Sequence, residues 1–68
     1  MVYKLGKTTT AHDKGASEDV AVYSGTIGNE VAINETVNAY NPHCDMEQDK
    51  WCVMFPKNGG WELFAGEC

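Results

Sequence analysis

The chain contains no arginine, and its five lysines face ten aspartates and glutamates, which gives 68 residues a formal net charge of −5. Arginine is the residue best suited to bidentate phosphate contacts, so its absence argues against a nucleic-acid-binding protein. No apolar run reaches the length of a membrane span, and the first residues lack the apolar stretch of a signal peptide. The acidic balance instead predicts good solubility, or a partner with a basic surface.

Helical periodicity is also missing, because apolar residues alternate with polar ones in short runs. The runs cover residues 2–5, 19–24, 30–34, 36–40 and the two segments that flank Asn58-Gly59. Loops are predicted at 11–18 and 43–50, with a turn at 25–29. A chain of this length forms one domain. We therefore predict a single all-β domain over residues 1–68, a small six-stranded antiparallel β-sandwich or a small barrel, without substantial helix.

The pair Asn58-Gly59 between two apolar runs predicts a β-hairpin, because both turn positions need φ > 0. Pairing outward from this turn sets Met54 opposite Leu63 and Val53 opposite Phe64. One face of the hairpin then carries Trp51, Val53, Phe55 and Phe64, and the other carries Cys52, Met54, Trp61 and Leu63. Since both faces are apolar, the hairpin is either covered on both sides or offers one side to a partner.

Cysteine is scarce, with three residues at positions 44, 52 and 68. Small secreted domains often rely on disulfides, which favours at least one bridge. The hairpin register turns Cys52 and Cys68 to opposite faces, whereas Cys44 in the preceding loop can reach either. We predict a disulfide between Cys44 and Cys68, with Cys52 as a buried thiol. An intracellular protein with three free thiols is the alternative.

Motifs for catalysis and metal binding are absent as well. His43-Cys44-Asp45 supplies zinc-type ligands, but no C-x-x-C pair accompanies them. Asp45, Glu47 and Asp49 alternate as in a calcium loop, yet Lys50 and Pro56 stand where glycine and glutamate are required. No nucleophile motif surrounds a serine or cysteine, and so small a β domain offers little concave volume. We predict no enzyme activity, no cofactor and no metal.

The function class that is left is a binding module, and the edges of strands are the sites where such a β domain can bind an extended partner. The segment 19–24 carries one acid and neither lysine nor proline, so it reads as a weakly protected edge strand. The predicted partner-binding residues are Asp19, Val20, Ala21, Val22, Tyr23 and Ser24.

The order of the predicted strands and of the cysteines along the chain resembles that of a known protein family. The strand Val20–Tyr23, the strands 29–34 and 36–40, and Asn41-Pro-His-Cys44 follow one another as in the central segment of the MAX effectors, small secreted proteins of plant-pathogenic fungi named after Magnaporthe Avr proteins and ToxB. The ending Ala65-Gly-Glu-Cys68 is similar to some members.

The resemblance covers residues 19–68 and departs from the family in the first strand. The family's usual disulfide joins a cysteine of that strand to one just before the fifth strand. Residues 2–10 contain no cysteine, so under this resemblance Cys44 is free or pairs elsewhere, as with Cys68.

The resemblance implies a two-sheet sandwich and a non-catalytic virulence or avirulence protein that is secreted and able to enter a host cell. Its partner would be a host protein, such as a small metal-associated-type domain of a plant immune receptor, bound partly by strand pairing along residues 19–24. We expect a monomer that binds neither nucleic acid nor membrane.

The alternative is an intracellular inhibitor of phage or mobile-element type, located in the cytoplasm, that covers a basic site on its target. The missing arginine and the net charge of −5 favour it. Met1 fits this hypothesis as a native start, and it fits secretion as a start placed before a mature chain.

Overall fold

The computed structural model describes residues 3–26 and 28–68, and this part of the chain is all β without a helix, as predicted. Val2 in the first predicted strand and Ile27 in the predicted turn lie outside the described residues. No helix in the described ranges is long and apolar enough to cross a membrane. The strands are β1 (Lys4–Thr8), β2 (Ser17–Thr26), β3 (Asn29–Tyr40), β4 (Trp51–Lys57) and β5 (Gly60–Gly66).

The five strands form one closed barrel in the order β1-β2-β3-β5-β4, with β4 paired to β1. Neighbouring strands are antiparallel except for β3 and β5, which run parallel where Ala39 and Tyr40 face Trp61 and Glu62. The predicted six-stranded sandwich is thus not confirmed. The strand order matches the other predicted architecture, the small barrel. Five-stranded barrels serve unrelated functions, so the architecture alone assigns none.

The two strands predicted at 30–34 and 36–40 are one continuous strand, β3. Val22 of β2 pairs with Glu35 and Tyr23 pairs with Ala32, so Ile33 and Asn34 are extra residues on β3. Asn34 has φ = 54°, a conformation that asparagine tolerates better than most residues. The resulting bulge bends the ladder without ending it, which is why five strands replace six.

The core lies inside the barrel and consists of Val20, Val22, Ala39, Met46, Cys52, Met54 and Leu63, with Val37, Cys44 and Trp61 packed against it. β1 closes over this core at Gly6. A Cβ there would stand 2.6 Å from both Met54 Cε and Val20 Cγ1, so glycine permits the close approach of β1. Hydrophobic burial of these side chains is the main stabilising contribution.

Buried polar residues fix the two loops at one end of the barrel. The fully buried Asn41 donates from Nδ2 to the carbonyls of His12 (2.9 Å) and Cys44 (2.6 Å), and its Oδ1 accepts from the His43 N–H (2.9 Å). Thr8 Oγ1 donates to the Glu47 carbonyl at 2.6 Å. These bonds order the acid-rich loop that precedes β4, since buried polar groups require partners.

The disulfide joins Cys44 to Cys68, as predicted, with the two Cα atoms 6.1 Å apart. Cys52 is a free, buried cysteine, also as predicted. The bridge ties the residues after β5 to the loop that precedes β4.

Candidate functional site

The segment predicted as an exposed edge, Asp19–Ser24, lies inside the sheet. β2 pairs with β1 through Val20–Tyr23 and with β3 from Ser17 to Thr26. The backbone of Val20–Tyr23 is therefore paired on both sides, and the interpretation of this segment as an edge strand is wrong. Alternation in one segment identifies a strand, but the neighbours of that strand depend on long-range pairing. Contact between these side chains and a partner stays a prediction.

A free strand edge lies one strand further along the barrel, on β3. β5 accompanies β3 only at Ala39 and Tyr40. In the described residues, no strand pairs with 29–38 on the side away from β2. We call this segment the β3 edge. It contains neither lysine nor proline, and its protection is limited to two glutamates and the bulge at Ile33 and Asn34. An extended partner strand can therefore add to it beside the bulge.

The β3 edge combines apolar exposure with negative charge. Val31 is 59% exposed and Ile33 is 41% exposed. Glu30 Oε2 accepts a hydrogen bond from the Gly28 N–H at 2.6 Å, and this bond lowers the pKa of the Glu30 carboxyl. Glu35 pairs with Lys4 Nζ at 2.7 Å. Alternation in residues 30–34 predicts a strand with Val31 and Ile33 on one face, but it does not indicate that this face is exposed.

The bulge at Ile33 and Asn34 divides the β3 edge in two. A partner strand would pair continuously with residues 29–33 or with residues 35–38, because the bulge interrupts the ladder between them. The first part holds both exposed apolar side chains.

A second exposed surface covers the outer side of β1, β4 and β5. Cys52, Met54 and Leu63 share one face of the hairpin, as predicted, and this face lies in the core. On the other face Phe64 is exposed and Trp51, Val53 and Phe55 are half-buried. The predicted pairing of Met54 with Leu63 is confirmed, but Val53 lies opposite Ala65, so the predicted pairing of Val53 with Phe64 is wrong. A bulge makes Phe64 an extra residue. We call this surface the outer aromatic face, and it consists of Tyr3, Leu5, Trp51, Val53, Phe55 and Phe64.

Aromatic contacts hold the outer aromatic face in place. The Phe64 ring centroid lies 5.8 Å from that of Tyr3 and 6.1 Å from that of Phe55. Trp51 meets Tyr23 edge-on with 5.0 Å between ring centroids, and Lys7 Nζ stands 4.9 Å from the Trp51 centroid. These separations are those of favourable aromatic and cation–π pairs, so the rings are positioned before any partner binds.

A depression of about 250 Å³ opens on this face, lined by Leu5, Trp51, Cys52, Val53, Ala65, Gly66 and Glu67. Its volume falls below that of pockets that enclose drug-sized ligands, so it suits a single side chain of a partner. Glu67 is fixed at the rim, because its Oε1 accepts a hydrogen bond from the Trp51 N–H at 2.7 Å.

The residues with catalytic or metal-binding chemistry have other partners. Cys44 is in the disulfide, and His43 Nε2 lies 2.8 Å from the Leu63 carbonyl oxygen. The fully buried His12 has Nε2 3.2 Å from the Ala16 carbonyl oxygen. The described ranges hold no group of three His, Cys, Asp or Glu side chains arranged to bind a metal ion.

Comparison with protein-family models, with curated proteins and with solved structures gave no match to this chain. The function is therefore inferred from the chain's own surfaces.

Proposed function

We propose that this protein is a secreted, effector-type binding module that acts without catalysis by docking to a target protein of a host. The β3 edge is the observation that carries the proposal. A target strand that adds there gains main-chain hydrogen bonds, and its side chains contact the exposed Val31 and Ile33. Residues 29–38 are therefore the proposed strand-pairing segment, because the backbone of Val20–Tyr23 is already paired on both sides.

The disulfide supports the extracellular location, since such bonds persist in oxidising compartments and support domains with small cores. The resemblance to MAX effectors supports the effector class and the small metal-associated-type domain as a partner.

Charge defines the kind of strand that fits. Glu30 lies on the β3 edge of a chain with net charge −5, whereas Glu35 on the same edge is already paired with Lys4. A complementary strand therefore carries a lysine or arginine opposite Glu30, between its apolar residues. Electrostatic attraction of this kind accelerates association and weakens as salt is added.

The test is selection from a display library of random 12-residue peptides on the immobilised, oxidised protein. We expect peptides that alternate β-branched or aromatic residues with basic ones. The variant Val31→Lys should weaken their binding at least about tenfold, because a lysine protects the edge and offsets its negative charge. The control Phe64→Lys changes an equally exposed apolar residue on another surface and should alter binding by less than about twofold.

Binding that is lost in Phe64→Lys and kept in Val31→Lys would contradict the proposal. Failure to recover any peptide that depends on Val31 would do the same.

A second candidate is the intracellular acidic inhibitor, favoured by the exposed acids Asp13, Asp45, Glu47 and Asp49. They lie on the two loops that the His12–Met46 bridge joins. This candidate requires salt-sensitive binding to a basic protein, so binding that persists in molar salt would exclude it. Thiol counting by mass spectrometry on material from the natural source distinguishes the two, because three free thiols there would count against secretion.

A further inference from the structure

The outer aromatic face carries a protrusion and a hollow side by side. Phe64, the extra residue at the bulge of β5, is 58% exposed. The next residue, Ala65, lines the depression of about 250 Å³ together with Leu5 and Val53. A face with both features is self-complementary, because a two-fold axis can place the Phe64 ring of each copy in the hollow of the other.

We propose that the occupant of the outer aromatic face is a second copy of this chain, which forms a two-fold symmetric dimer. This inference does not rest on the proposed function. β3 neighbours neither β1 nor β4 in the barrel. The β3 edge therefore stays free in the dimer, which presents two copies of it.

The charges around the face point to this occupant. Glu62 beside Phe55 is paired with Lys57 Nζ at 3.3 Å, and Glu67 accepts the Trp51 N–H. Lys7 stands over the Trp51 ring. The face is thus close to neutral on a molecule of net charge −5. A basic partner would be attracted to the acidic surfaces elsewhere, whereas a neutral apolar face of the same shape is what a second copy supplies.

The size of the face suggests a weak dimer. A standard interface buries about 800 Å² per partner, roughly a fifth of the 4176 Å² accessible surface of this chain. The outer aromatic face has six residues, whereas a standard interface takes about 20–30 from each partner, so a dimer through this face is weak. Aromatic anchors close to a pocket carry most of the energy of such interfaces, so Phe64 should dominate.

Sedimentation equilibrium of the oxidised full chain, from micromolar to about millimolar concentration, tests the proposal. We expect a reversible dimer with a dissociation constant on the order of tens of micromolar. Phe64→Glu should raise this constant at least about tenfold. The control Val31→Glu adds the same charge at a residue of matching exposure, 59% against 58%, and should change it by less than about twofold.

A second variant removes the hollow without altering charge. Ala65→Leu fills the depression that Ala65 lines, and it should weaken dimerisation in the same way. Amide spectra of each variant at low concentration establish that it is folded.

A wild-type protein that stays monomeric at about millimolar concentration would overturn the proposal. So would a dimer that Val31→Glu disrupts and Phe64→Glu and Ala65→Leu leave intact.

Discussion

Cys52 is the one free cysteine of the described chain, and its thiol lies in the barrel core. Burial raises the pKa of this thiol to about 12, because desolvation disfavours the thiolate. The thiolate is the reactive form, so Cys52 is inert towards oxidants and alkylating reagents in the folded state at neutral pH. The residue fills space in the core, and the odd number of cysteines needs no intermolecular bridge.

This pKa makes stability depend on alkaline pH. The unfolded chain loses the Cys52 proton near its ordinary pKa of 9.0, whereas the folded chain keeps it up to about pH 12. The contribution of Cys52 to the free energy of unfolding is therefore fully present below pH 9. It decreases as the pH rises above 9, by at most about 1.4 kcal/mol per pH unit. Denaturant unfolding of wild type and Cys52→Val at successive pH values measures this, because the other titrating groups cancel in the difference. Parallel pH curves for the two proteins would contradict the assignment.

The closing hairpin depends on a turn in which both central residues have positive φ. Asn58 has φ = 50° and Gly59 has φ = 79°. Gly59→Ala should cost about 1–2 kcal/mol of unfolding free energy, because a Cβ penalises this backbone conformation. The cost is purely conformational, since no atom lies within 4 Å of the added Cβ.

Gly60→Ala is the matched control for this turn. Its Cβ would meet only the Lys57 carbonyl oxygen at 3.9 Å, and Gly60 is not among the residues with positive φ. We expect a change within about 0.5 kcal/mol, measured by the same denaturant titration. Equal losses for the two variants would show that the turn conformation is not the cause.

Turns and strand ends that depend on local residue chemistry could be predicted from the sequence. Which strand pairs with which could not. Asn58-Gly59 specifies the hairpin and the faces of Cys52 and Met54, and Asn41-Pro42 ends the strand that precedes it, since β3 stops at Tyr40. The bulge at Asn34, by contrast, could not be predicted from the sequence. An asparagine between two alternating runs is compatible with a turn or with a bulge, and only its pairing with β2 distinguishes them.

The same limit applies to the candidate site. The hairpin pattern indicated the outer aromatic face, because two apolar faces on one hairpin required either a cover or a partner. The β3 edge was missed, since an edge is defined by the strand that is absent beside it. That absence arises because β5 pairs with β3 only at Ala39 and Tyr40, and no single segment encodes this long-range pairing.

At the scale of the whole molecule, the disulfide compensates for a small core. It closes a sequence separation of 24 residues, for which loop entropy gives a stabilisation of about 3 kcal/mol. A domain of this size has a net stability of about 3–5 kcal/mol without such a bridge. The double variant Cys44→Ser, Cys68→Ser should therefore lose about 3 kcal/mol in guanidinium unfolding, and Cys52→Val should lose far less. A loss below about 1 kcal/mol would contradict this role.

The two proposed binding surfaces lie on different strands of the barrel. The outer aromatic face lies on β1, β4 and β5, and the β3 edge lies on a strand that pairs with neither β1 nor β4 in the sheet. One surface can thus join two copies while the other takes a partner strand. A dimer with two free edges binds a paired target more tightly than a monomer, because the second contact becomes intramolecular.

Amide hydrogen exchange, resolved by residue with NMR, tests the central claim most directly, that β3 and not β2 offers the free edge. In the free protein we expect slow exchange along Val20–Tyr23, where β2 has partners on both sides. On the β3 edge, the amides that point away from β2 should exchange fast, and they should slow when a selected peptide binds. Slow exchange at every amide of residues 29–38 in the free monomer, or fast exchange along Val20–Tyr23, would contradict the account.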